Sequence, residues 1–274
     1  MNFVWNLLII LVADAVAIAA MLFVRRRAPD GGFFADSDRA SGVFGVLSTG
    51  FAIFAGFVIF LAFTSYDQSR SGAESEALTL TQQFETAQFL PAAVRPALTS
   101  QLTCYGRSVV GQEWPRMEDG SSGDTLNPWA VALFQSMKKA NPRTAPEQSA
   151  YDKWFDQTTD REEARRDRIH GATGIIPPSL WVVLILLGLT VFAYVLFYAD
   201  SGERVRAQAM MVGSVTTALV VTLLAVQTLD EPYRPGIGSI KPVAMERSLR
   251  LIDQARVVTG DTGGLPCDAQ GAPL

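Results

Sequence analysis

The chain has 274 residues, of which 49% are hydrophobic and only 18% charged, against about 25% charged in an average soluble domain. Its net charge of -4 leaves no basic footprint for a nucleic acid. Two cysteines and one histidine are little material for metal or thiol chemistry. The apolar excess decides the class, because it collects into a few unbroken stretches around one long segment of soluble composition.

A bilayer core about 30 Å thick takes about 20 apolar residues in a helix. The first such run is Phe3 to Val24, with one charge, Asp14, near its middle. Ala17 to Ala20 offers small residues for signal cleavage, but no cation precedes the run, and Arg25, Arg26 and Arg27 follow it directly. That charge order predicts a retained anchor. The second run covers residues 43–65, with no charge between Arg39 and Asp67. The third, Leu180 to Ala199, opens on Trp181 and closes on Tyr194 and Tyr198, as an interfacial aromatic belt does. The fourth, Ala207 to Leu229, is uncharged between Arg206 and Asp230. Four runs of this length read as transmembrane helices, not as core helices of a large soluble protein.

Short cytoplasmic loops collect Lys and Arg. Arg25, Arg26, Arg27 and Arg39 follow the first span, and Arg204 and Arg206 lie in the turn after the third. Both loops therefore read as cytoplasmic. The N-terminus, the segment 66–178 and the tail 230–274 then lie outside, in the periplasm of a Gram-negative host. The expected division is 1–65 and 179–229 in the membrane, with 66–178 as a helical domain and 230–274 as a tail.

Beyond Tyr66 the helical period continues through Ala73, Ala77, Leu80, Phe84 and Ala87 until Pro91 breaks it. Val94, Leu98, Leu102, Tyr105 and Val109 form the stripe of a second helix, with Pro96 in its first turn. Loops are predicted at 119–124 and at Asn141 to Pro146, with a short helix between them burying Trp129, Leu133, Phe134 and Met137. A last helix from about Glu147 carries Tyr151, Trp154 and Phe155, then a run of alternating sign from Asp160 to Arg168. That run reads as a solvated, ion-paired face, or else as a subunit contact or an anion-attracting rim.

The second span has two distinct sides. Gly45, Ser48, Thr49, Ala52 and Gly56 share one, which allows close approach of another helix. Gly213, Ser214, Thr217 and Ala218 answer them in the fourth span, so spans two and four are expected to pack together. Phe44, Leu47, Phe51, Phe54, Val58 and Leu61 share the other side. It serves as lipid contact or core, or as a hydrophobic constriction that gates by dewetting. Asp14 costs roughly 2.5–3.5 kcal/mol at a helix centre. No other span offers a cation, so its partner must be a hydroxyl, a carbonyl or water. His170 lacks companions for a metal, and Gly236 and Gly238 fall short of a dinucleotide fingerprint. Nothing resembles a phosphate loop, a zinc-protease helix or a nucleophile elbow. No enzyme, metal or cofactor is expected. Cys104 and Cys267 both fall on the oxidising side by the arginine rule, where they are expected to form a disulfide, within one subunit or between neighbours, that pins the tail.

Three segments carry a family likeness: FGVLSTGFAIFAGFVIFLAFTSYDQSRSGAESEAL (44–78), REEARRDRIHGATGIIPPSLW (161–181) and LDEPYRPGIGSIKP (229–242). With them the chain resembles a bacterial family described as bestrophin-like. The resemblance implies four spans with a helical insertion after the second. Its name implies kinship to bestrophins, pentameric anion channels whose second span lines the pore. Only Asp230 and Glu231 stand where bestrophins carry a calcium-binding acidic cluster, so calcium gating is not implied. Bestrophins also keep their termini in the cytosol, whereas the arginines here place them outside.

The expectation is an all-α integral membrane protein of the inner membrane, a homo-oligomer and possible pentamer that passes anions through a hydrophobic pore. Phe51, Phe54 and Val58 are its expected lining, and Gly45, Ala52, Gly56 and Gly213 its packing residues. The competing expectation is a non-conducting scaffold or envelope-stress protein whose outer bundle binds another protein.

Overall fold

In the computed structural model, residues 3–29, 32–34, 36–121, 125–200, 202–261 and 263–274 are described. Among them the chain forms α1 (Phe3–Arg25), α2 (Ser37–Ala87), α3 (Arg95–Ser108), α4 (Trp114–Glu118), α5 (Pro128–Met137), α6 (Ala145–His170), α7 (Pro178–Phe197), α8 (Val205–Asp230) and α9 (Val243–Thr259). A π-helical turn, Val109–Glu113, joins α3 to α4, and a 3-10 turn, Gly171–Thr173, follows α6. The only β pairing among the described residues is one isolated bridge, Cys267 to Pro273. Four helices, α1, α2, α7 and α8, are long and apolar enough to cross a membrane.

The chain divides into two compact units. One, the membrane unit, holds residues 1–64, 175–230 and 235–238; the other, the bundle, holds 65–174, 231–234 and 239–274. As the continuing period predicts, α2 is unbroken from Ser37 to Ala87 and contributes residues to both.

In the membrane unit the bulky side of α2 supplies the core. Phe51, Ala55 and Val58 meet Leu184 and Val191 of α7 and Val226 of α8. A second cluster joins Ala17 and Met21 of α1 to Val195, Ala199 and Val212, and α1 packs most extensively on α8. The expected packing of small residues between spans two and four is not made at their glycines within one chain. A Cβ added at Gly45, Gly56 or Gly213 would meet no atom within 4 Å. Large side chains fill most of the α2 contacts within one chain, and Gly45, Ala52 and Gly56 stand exposed.

The bundle packs α3, α5, α6 and α9 around the continuation of α2. Ala77, Leu80 and Phe84 of α2, Leu98 and Leu102 of α3, Leu133 of α5, Trp154 of α6 and Ile252 of α9 form its core. A side chain at Gly72 would begin 2.5 Å from the backbone nitrogen of Arg168, so a glycine lets α2 and α6 touch there. Helix α6 begins at Ala145, earlier than expected. Thr144 and Glu147 make a reciprocal capping box and Pro146 occupies the first turn, which suits a proline that lacks an N–H. Phe134 is a correction too, being 56% exposed, and Phe155 is 41% exposed. Their helices turn Leu133 and Trp154 inward instead. Residues 122–124 of the expected 119–124 loop lie outside the described residues. The tail is more ordered than its glycines and prolines suggest, since α9 buries Met245, Ser248, Ile252 and Arg256 at helical spacing.

Candidate functional site

Within the membrane unit, α2 is covered on one side only. Phe51 is 8% exposed and Val58 1%, both beneath α7 and α8 of the same chain, and Phe54 is half-buried against the same cluster. These three side chains therefore serve as core in the isolated chain. The pore-facing role expected for them requires an open side, and the open side of α2 carries other residues. Val46, Ile53 and Phe60 are 73%, 69% and 61% exposed. Spaced seven apart, they fall on one line along the helix. Gly45, Thr49, Ala52 and Gly56 stand exposed beside that line.

Asp14 of α1 lies against α8, where its Oδ2 accepts a hydrogen bond of 2.8 Å from the Thr217 hydroxyl. The partner is thus a hydroxyl, one of the three kinds that an uncharged neighbourhood allows. Asp230, at the end of α8, spends its carboxylate inside the protein. It accepts from the backbone N–H groups of Ile175 at 2.7 Å and Ile176 at 2.8 Å, and from the Trp181 indole at 3.1 Å. Those bonds fix the entry to α7. No group of three His, Cys, Asp or Glu among the described residues is placed to hold a metal.

The bundle contains a polar centre that sequence reasoning missed. The Arg168 guanidinium, wholly buried, bridges Glu76 of α2 and Glu113 at the end of the π turn, the latter at 2.6 Å. Arg165 reaches Glu113 at 3.2 Å, and Asn127 donates to it at 2.9 Å. The Tyr105 hydroxyl donates to Glu76 at 2.6 Å. Burial pushes the Glu113 carboxyl up, but Arg168 and Arg165 outweigh it and hold the group below the usual range. Burial, reinforced by Glu76, pushes the Tyr105 phenol well up, which keeps it a donor. Arg161 is also buried, donating to Gln83 at 2.6 Å with its guanidinium over the Tyr105 ring. The run from Asp160 to Arg168 is therefore solvated on one face only. A signal existed: Ala150, Trp154, Gln157, Arg161, Ala164 and Arg168 keep alternating spacings of four and three, and all six are buried.

The C-terminal segment is clamped onto this region. Cys104 and Cys267 are joined by a disulfide, with Cα atoms 5.8 Å apart. Trp129 donates its indole N–H to the Gly271 carbonyl at 2.6 Å, and Gln112 of the π turn donates to the Gln270 carbonyl at 3.2 Å. Gly271 has φ +78°, and a Cβ there would stand 2.2 Å from the Ser108 nitrogen. The tail backbone lies directly on the helix, which only glycine permits.

Comparison with known proteins adds the family. A model of the Bestrophin-like domain matches residues 10–245. A bacterial Bestrophin homolog from Klebsiella pneumoniae, solved by Zn-SAD phasing, superposes with TM-score 0.65 at 14% identity, covering 92% of this chain and 99% of the homolog. A mutant of that homolog gives TM-score 0.64 at 14% identity over 91% and 98% of the two chains. A structure described as a membrane protein gives TM-score 0.64 at 14% identity over 96% and 99%. At this identity the likeness establishes the fold. No curated relative matches the chain.

Proposed function

The chain belongs to the Bestrophin-like family, and from that premise we propose that it assembles with copies of itself in the inner membrane and passes anions through a pore lined by α2. The observation that carries this reading is the one-sided burial of α2. Its covered side meets α7 and α8, and its open side carries the apolar line Val46, Ile53 and Phe60. Facing a common axis, such a line makes a constriction that controls wetting. The exposed stripe of Gly45, Ala52 and Gly56 gives a neighbouring copy a place to approach. A ring of five is what the likeness to bestrophins implies. The orientation is the one the arginines favour, with the bundle outside the cytoplasm. The Cys104–Cys267 disulfide supports it, since such bonds persist in oxidising compartments.

Cysteine accessibility in reconstituted protein tests the lining. A charged thiol reagent should react with Phe60→Cys and Ile53→Cys and change chloride flux, and should leave Phe51→Cys unmodified. A lipid-facing side would give no reaction at positions 53 and 60. Reaction at position 51 alone would return the pore to the bulky side of α2. Absence of flux in well-assembled protein would favour the non-conducting scaffold.

A further inference from the structure

We propose that a groove on α7 holds an acyl chain of an anionic phospholipid, whose phosphate sits among the arginines of the two short loops. The site goes beyond the conduction reading and does not depend on it. The groove, of about 690 Å³, is lined by Phe33, Phe34, Leu186, Leu189, Tyr194 and Phe197 among others. It exists because Phe33 and Phe34, between α1 and α2, lie against α7. Phe33 meets Phe197 edge-on at 5.6 Å, while Phe34 stacks on Tyr194 at 5.9 Å and leans on Tyr198 at 5.2 Å. Leu186 and Leu189 remain 58% and 57% exposed on its floor.

The wall asks for an apolar occupant. Thr190, one of its two hydroxyl residues, spends its Oγ1 hydrogen on the Leu186 carbonyl at 2.8 Å, which leaves the Tyr194 phenol as the other. The stretch from Leu186 to Phe197 spans roughly 16 Å of helix, on the order of an extended acyl chain.

What lies at the loop end selects the headgroup. Arg25 donates to the Gln208 side chain at 2.7 Å and to the Glu203 carbonyl at 2.6 Å, which ties the end of α1 to the start of α8. Both arginine-bearing loops are thereby at one end of the membrane unit. The aromatic wall, Phe33 and Phe34, lies between Arg27 and Arg39 in the chain, and the α7 wall ends shortly before Arg204. Arg39 is paired with Asp36. Arg26, Arg27, Arg204 and Arg206 are exposed and form no ion pair among the described residues. Of the acids nearby, Asp200 caps the Gly202 N–H, and Asp38 and Glu203 face solvent. The two loops hold six arginines against five acids, Asp30, Asp36, Asp38, Asp200 and Glu203, so cations remain in excess by one beside an apolar groove. A lipid with a net negative headgroup satisfies both features, whereas a zwitterionic one brings its own cation.

Native mass spectrometry of the full chain, delipidated and titrated with phosphatidylglycerol or phosphatidylcholine of identical chains, tests the site. Phosphatidylglycerol should be retained about tenfold more strongly, as a basic cluster at a membrane surface provides. Arg27→Gln with Arg204→Gln should abolish that preference while leaving phosphatidylcholine binding; four arginines remain to hold the topology. Leu189→Trp should fill the groove and lower retention of both lipids, with helical content unchanged. Equal retention of the two lipids by the wild type would overturn the proposal, as would an undiminished preference in the arginine variant. If Leu189→Trp dissociates the oligomer without changing lipid retention, the groove belongs to a second copy and the proposal fails. The readout is bound lipid, so a protein that conducts nothing leaves the result intact.

Discussion

Replacing Arg168 with methionine removes the one cation shared by two buried carboxylates. Methionine fills much of the same volume, so the loss is mainly electrostatic. Removing one partner of a buried ion pair costs about 3–5 kcal/mol, because the remaining ion stays out of water without compensation. The two carboxylates do not suffer equally. Glu113 keeps Arg165 at 3.2 Å and Asn127 at 2.9 Å, whereas Glu76, fully buried, keeps only the Tyr105 hydroxyl. The orphan is Glu76, and a single orphan puts the cost near the lower bound, about 3 kcal/mol. At about 2–4 °C per kcal/mol for a unit of this size, the melting temperature should fall by roughly 6–12 °C. Thermal unfolding of the purified chain, followed by tryptophan fluorescence, reads this directly, because Trp114 lies against Arg168 and packs edge-on with Tyr233. Adding Glu76→Gln to the Arg168→Met variant should recover part of the loss. A change below about 1 kcal/mol in the single variant, or a further loss in the double, would refute the assignment of Glu76 as the dependent charge.

The same cluster sets an acid limit. Glu113 is held below its ordinary 4.5, so its contribution is complete above that pH and lost as pH falls through the lower folded value. Melting temperatures of the wild type and Glu113→Gln should differ at pH 7 and converge in acid; a gap that widens below pH 4.5 would contradict the pairing. Cys267→Ser should cost about 2–4 kcal/mol and expose the last residues to limited proteolysis, while an intact tail would show that Trp129 and Gln112 suffice to hold it. For orientation, an impermeant thiol reagent on spheroplasts should label Ser121→Cys and spare Ser37→Cys, with the reverse pattern inverting the topology.

Much of the architecture follows from patterns visible along the chain. Apolar runs of span length, with Arg25–Arg27 closing the first, mark the four membrane helices. Helical spacing from Ala73 to Ala87 carries α2 past the membrane run, and Pro91 ends that spacing. Which side of α2 is covered is a different question, because apolar side chains suit lipid, protein core and a dry pore alike. Phe51 and Phe60 carry identical hydropathy; only the positions of Leu184, Val191 and Val226 separate them. The buried ions were hidden for another reason. Alternating charge in 160–168 resembles a solvated face, yet the spacing from Trp154 to Arg168 continues a buried stripe, with arginines where leucines would ordinarily stand. Glu76 sits next to Ala77 at the edge of the apolar stripe of α2, and its partner is 92 residues away. The π turn has a local cause in Pro115, which lacks the N–H that would bond the Gly111 carbonyl. It is also packed by the tail, whose Gln270 carbonyl would meet a Cβ at Gly111 at 2.8 Å.

Conduction through a ring of these chains can be read from chloride efflux out of liposomes containing the purified oligomer. Flux should exceed that of protein-free liposomes, rise when Phe60 is replaced by Ala, and not rise when Phe51 is. Liposomes that stay sealed with wild-type protein and with Phe60→Ala, both assembled and helical, would contradict it.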